Sequence, residues 1–154
     1  MKQENSLEKD TEVVICSFGI YGSYWHDKCF PSLNDMLHEA GKNPMAYGRM
    51  KKKYMGIAVD NIRKQLGNYK VECKPVRLDF TFGEPDFGQK RDYDNIVAAG
   101  RKFITDALVN SKVIKKDDPE YVEFGNNKFE YVSTPFISVE IIRVETPVVQ
   151  TKEA

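Results

Sequence analysis

The sequence predicts an α+β fold, a single domain in which a mixed β-sheet packs against two main helices. Three observations carry that expectation. The chain has 154 residues, 41% of them hydrophobic and 30% charged, enough to bury one core without disulfide staples. Stretches of two-residue and of helical periodicity take turns along it. No internal repeat or low-complexity block interrupts them.

In chain order, the polar head at residues 1–11 is expected to be disordered, and the domain proper to span residues 12–146. Glu12 to Ile20 is rich in β-branched residues and predicts the first strand. Ser32-Leu33-Asn34-Asp35 is a helix start signal, predicting a short helix through His38 that Gly41 and Pro44 break. From Gly48 to Leu66 a long helix follows, with Met50, Tyr54, Ile57 or Ala58, Ile62 and Leu66 at helical spacing. Gly67-Asn68 ends it. Lys74 to Phe82 alternates, with Val76, Leu78, Phe80 and Phe82 on one face of a strand. "GEPDFGQKR" reads as a loop, and Asn95 to Asn110 as the second main helix. Tyr121 to Phe124 and Phe129 to Val132 are expected as two short strands joined by a turn at "GNN". Pro135 to Val144 is the last strand, and residues 147–154 a frayed tail.

Several function classes are excluded or weakened by composition. No apolar run approaches the roughly 20 residues of a membrane span, and "MKQENSLEKD" lacks the plan of a signal peptide. A cytoplasmic location without membrane contact is therefore expected. Cys16, Cys29 and Cys73 have no CxxC spacing and read as buried free thiols, and one HxxC pair, His26 and Cys29, is not a zinc set. Net charge is zero, but between Ala40 and Lys70 eight basic residues face one acid, Asp60, which leaves that window at +7. Such a patch, centred on Lys51, Lys52 and Lys53, suits binding to a phosphate backbone.

The carboxylates in "RDYDN" point to chemistry. Asp92 and Asp94 sit two apart just before the second helix, where extended chain puts both on one side and the helix end favours anions. Asp94 alone also suits an N-cap role. Asp117 and Asp118 follow the helix, and a short return of the chain would bring them beside the first pair. Converging carboxylates near cations make a hard-oxygen site for Mg²⁺ or Mn²⁺, suited to phosphodiester hydrolysis.

"RDYDNIVAAGRKFITDAL" followed by "VIKKDD" resembles the RusA-type Holliday-junction resolvases, whose pattern is a basic residue, DxDN, a helix carrying a lysine and ending near DAL, then a downstream aspartate. "PSLNDM" and "MKKKY" resemble a phage and prophage branch of that family. The resemblance covers about residues 30 to 144. It implies a RusA-like fold, a homodimer, and metal-dependent symmetric cleavage of four-way DNA junctions in recombination and repair. Asp92 and Asp94 correspond to the family's paired catalytic and metal-holding carboxylates, and Asp117 to its third, with Asp118 taking that place if one residue is inserted. The family's lysine four residues after the second aspartate is Ala98 here. Counted back from Asp106-Ala107-Leu108, Lys102 takes its place, about 12 Å along the helix from Asp94 instead of about 6 Å. Arg91, Arg101 and the lysine triplet are the expected nucleic-acid contacts. Two other readings are a same-fold nuclease for other branched DNA and a structure-selective DNA-binding protein without cleavage, the latter suggested by Ala98.

Overall fold

The run of β-branched and aromatic residues in TEVVICSFGIY forms strand β1, Thr11–Tyr21, whose Phe18 and Ile20 point into the core. The computed structural model describes residues 11–22 and 29–145. The head before Thr11, His26 of the His26/Cys29 pair and the tail from Thr146 lie outside the described residues; Thr11 itself, expected in the head, opens β1.

Helix α1, Leu33–Lys42, starts where the signal lies. The Asp35 N–H donates to the Ser32 hydroxyl at 3.3 Å, and the Ser32 N–H donates back to the Asp35 carboxylate at 2.8 Å, a reciprocal capping box. Gly41 does not stop it. The stop falls at Asn43, whose backbone N–H donates to Glu39 and whose side chain accepts the Ala46 N–H at 2.8 Å, opening α2, Pro44–Leu66. Pro44 thus begins a helix instead of breaking one, because its missing N–H is not needed at the first helical position. Gly67, at φ 62°, ends α2 in a conformation that side chains disfavour.

Strand β2, Val76–Pro85, alternates as expected but runs past Phe82, since β4 (Phe136–Glu145) pairs with it antiparallel and β3 (Val122–Val132) parallel, the latter up to Pro85. Helix α3, Tyr93–Asn110, is the crossover between β2 and β3. The two short strands expected around "GNN" are one. While β2 advances from Leu78 to Phe80, β3 advances from Phe124 to Asn127, so the turn-like residues are taken up as a one-residue bulge. The Asn126 N–H finds the Asp79 carboxylate at 3.0 Å there.

The sheet order is β1-β4-β2-β3, and among the described residues four strands and three helices form one α+β unit. By register Phe18 and Ile20, Ile137, Val139 and Ile141, and Val76, Leu78, Phe80 and Phe82 share one face, where they join Tyr54, Ile62, Phe103 and Leu108 of α2 and α3 in the core. Gly100 sets how closely α3 lies on β2: a Cβ there would come within 2.6 Å of the Phe82 ring. At the edge of the sheet, Gln65 of α2 donates to the Gly19 carbonyl at 2.6 Å and accepts its N–H at 2.8 Å, filling the outer bonds of that one residue of β1. No described helix is long and apolar enough to cross a membrane.

Candidate functional site

"RDYDN" stands where β2 has ended and α3 begins. Asp92 has extended backbone and caps α3, its carboxylate accepting the Asp94 N–H at 2.8 Å. Asp94 therefore lies in the first helical turn, not in extended chain, and the helix starts two residues earlier than its spacing predicts. Both carboxylates remain at the positive end of the helix. Both are exposed, and neither is ion-paired among the described residues.

Beneath them is a buried charge that the sequence reading missed. Glu84 is 6% exposed, and Arg91 grips it with two parallel bonds, Nε to Oε1 at 2.9 Å and Nη2 to Oε2 at 2.8 Å. Arg91 also reaches Asp35 of α1 at 3.5 Å. Desolvation works against the charged guanidinium, and the hydrogen bonds and charge of Glu84 more than offset it, holding the Arg91 pKa above its ordinary value. Arg91, expected on DNA, is thus the clamp that ties the approach to α3 onto β2 and α1. The signal for Glu84 was present: it continues the inward alternation of Val76, Leu78, Phe80 and Phe82, and an inward carboxylate needs a partner. Next to the clamp a cavity of about 370 Å³ opens between α1, α2 and Arg91, lined by Asp35, His38 and Tyr54 among others.

Aromatic side chains flank the same end. Tyr93 stacks on Phe129 with ring centres 4.1 Å apart, and Lys90 lies 4.1 Å above the Tyr131 ring. A hydrogen bond that the Tyr131 hydroxyl donates to Tyr93 raises the Tyr131 pKa.

The other predicted residues lie elsewhere. Lys102 pairs with Asp106 at 3.3 Å, and Lys51 approaches the same carboxylate at 3.9 Å across the α2–α3 seam. Arg101 turns the other way, its guanidinium carbon 4.5 Å from the Phe124 ring centre and its Nε buried without a partner. Desolvation lowers its pKa. The lysine triplet does not form one face, since successive helical residues diverge by about 100°: Lys52 is exposed, Lys53 lies over the Tyr54 ring, and Lys51 faces α3. Cys16, Cys29 and Cys73 form no disulfide among the described residues and are half-buried rather than fully buried.

Asp117 and Asp118 do not return to the first pair. α3 is 18 residues, about 27 Å long, and β3 then starts beside Val76, at the opposite end of β2 from Asp92. Parallel pairing is the reason: the chain must travel the length of α3 before β3 can begin. Asp118 is committed locally, its carbonyl accepting the Tyr121 and Val122 N–H groups and its carboxylate that of Glu120 at 2.9 Å. Asp117 is exposed and carries no ion pair among the described residues. No family model matches this chain, and a search of curated proteins finds no match.

Proposed function

We propose that the protein is a metal-dependent endonuclease of the junction-resolvase type, cutting phosphodiester bonds in four-way DNA junctions during recombination and repair. The observation that carries this reading is the Asp92–Asp94 pair, exposed and without a counter-charge at the α3 N-terminus within RDYDN. Two such carboxylates, each with a free oxygen, fit a hard cation such as Mg²⁺ or Mn²⁺, which retains waters and meets substrate through phosphate. Bound there, the ion would polarise the scissile phosphate and activate water. The chain's own part is to hold the ion with Asp92 and Asp94, and to favour the phosphate with the helix end. Lys90 stands nearby as a cation for the leaving oxygen. A homodimer in the cytoplasm, acting on two equivalent strands, completes the proposal.

A second reading, a structure-selective DNA-binding protein that does not cleave, draws on one observation: Asp117 and Lys102 stand away from Asp92 and Asp94 within a chain. One assay separates the two. Labelled four-way junction, duplex and flap DNA are incubated with and without Mg²⁺ or Mn²⁺. Nicking of the junction only with metal is the expected result, and binding without nicking under every condition would favour the second reading.

Strand binding is assigned to the exposed side of α2. Arg49 and Lys52, one turn apart and both exposed, are expected to contact phosphates. Changing both to Ala should weaken binding to every DNA form and reduce the slope of log affinity against log salt by about two. Lys51→Ala, at the seam with Asp106, should change the slope less. Equal slopes for all variants would return these residues to solvated surface.

A further inference from the structure

A cavity of about 640 Å³ lies between the end of α3 and the segment that leads from α2 to β2, at the opposite end of α3 from Asp92 and Asp94. The Val71 N–H donates to the Val113 carbonyl at 2.8 Å, which ties its two walls together. The lining is apolar at Val71, Val109, Val113 and Ile114. Its charged groups are Lys70, Lys112 and Lys115 against one acid, Glu72, and none of these lysines is ion-paired among the described residues. Asp117, Asp118 and Glu120 do not line it; Glu120 is bonded to Lys74, and the Asp118 carboxylate accepts the Glu120 N–H at 2.9 Å.

We propose that this cavity binds a small amphipathic anion, an apolar body with one oxyanion head, at a site separate from Asp92 and Asp94 and independent of their chemistry. Its volume falls within the roughly 300 to 1,000 Å³ of small-molecule sites, and an apolar lining with a few charges of mostly one sign is the make-up of such sites. The end of α3 does not need the lysines as caps. The Ser111 hydroxyl donates to the Ala107 and Leu108 carbonyls at 2.8 and 3.3 Å, and the N–H groups of Ser111, Lys112 and Val113 answer Ala107, Val109 and Leu108. Three ammonium groups around an apolar cavity repel one another, and an anion among them relieves that repulsion. Lys112 stands at φ 66°, the left-handed region that favours glycine, so the turn itself gains nothing from a lysine there. Its long stem can lie on the apolar wall and keep the charge at the rim. Val71, Glu72, Ile114 and Lys115 also line a second cavity, of about 240 Å³, together with Tyr121, which leaves room for an elongated body.

The test is titration of the full-length chain, followed by calorimetry and amide NMR shifts. Decanoate and decyl phosphate, below their micelle concentrations, are the probes, and decanol is the uncharged control. One anion per chain is expected, with shifts centred on Val71, Val113 and Ile114, and decanol binding at least about tenfold more weakly. Lys112→Gly removes a charge at a position where glycine relieves the backbone, so this variant keeps its fold. Combined with Lys115→Gln it should weaken whichever anion binds by at least about tenfold and leave decanol unchanged. No saturable binding of either anion overturns the proposal, as does decanol binding as tightly as they do. Equal anion affinity in the double variant overturns it too, because the lysines would then have no part. Two further results would reassign the cavity and overturn the proposal. A dimeric wild-type chain whose double variant is monomeric, with neither anion bound, makes it an interface between copies. Loss of junction affinity in the double variant, again with neither anion bound, makes the lysines strand contacts.

Discussion

Asp92→Asn is expected to lower metal-dependent nicking of a four-way junction by more than about a hundredfold, with junction binding unchanged or tighter. The structure makes this substitution cleaner than most. Asp92 caps α3 by accepting the Asp94 N–H, and an Asn side-chain oxygen accepts the same bond, so the helix start keeps its stability while the charge is lost. Asp92→Ala, by contrast, removes cap and charge together and should also cost about 1 kcal/mol of folding stability. Asp94→Asn removes only charge from an exposed first-turn position and should match Asp92→Asn in rate. Urea denaturation beside single-turnover nicking separates the two effects. Wild-type nicking by either Asn variant would remove the carboxylate pair from the chemistry.

The largest stability effect is expected at the clamp below the site. Arg91→Ala leaves the buried Glu84 carboxyl with no partner, and breaking one side of such a pair typically costs about 3 to 5 kcal/mol. Removing both charges together is different: Arg91→Met combined with Glu84→Leu should regain most of the loss, because no unpaired charge remains. Urea midpoints for the two single variants and the double variant complete the cycle. A loss below about 1 kcal/mol for Arg91→Ala would mean that water reaches Glu84 and the pair behaves as a surface bridge.

Much of the fold was legible because local pattern and tertiary setting agree. Val76, Leu78, Phe80 and Phe82 alternate, and that face is the one α2 and α3 cover. Ser32 and Asp35 satisfy each other's backbone N–H groups within four residues, so the start of α1 needed no distant partner. The failures share the opposite property. "GNN" has turn composition, yet pairing with β2 on both sides of the bulge keeps it in a strand, a preference set by the neighbour rather than by the residues themselves. Lys51 and Lys102 read as free cations because their shared partner, Asp106, is reached in part across the seam between two helices. In the site, RDYDN was legible as an acid pair at a helix start. The distance from it to Asp117 was not, since it follows from β3 running parallel to β2, and strand direction is invisible in a short apolar run.

Gln65 has a consequence for assembly. By answering both the N–H and the C=O of Gly19, its amide acts as a one-residue substitute for a neighbouring strand. A sheet that can be extended from both sides can grow without limit, one chain after another, into a fibre. With Gly19 already answered from within the chain, a strand added at this part of β1 would first have to displace the Gln65 amide. Gln65 thereby guards that stretch of the edge against a foreign strand. Its replacement by Ala would leave the Gly19 N–H and C=O open to pairing with another chain.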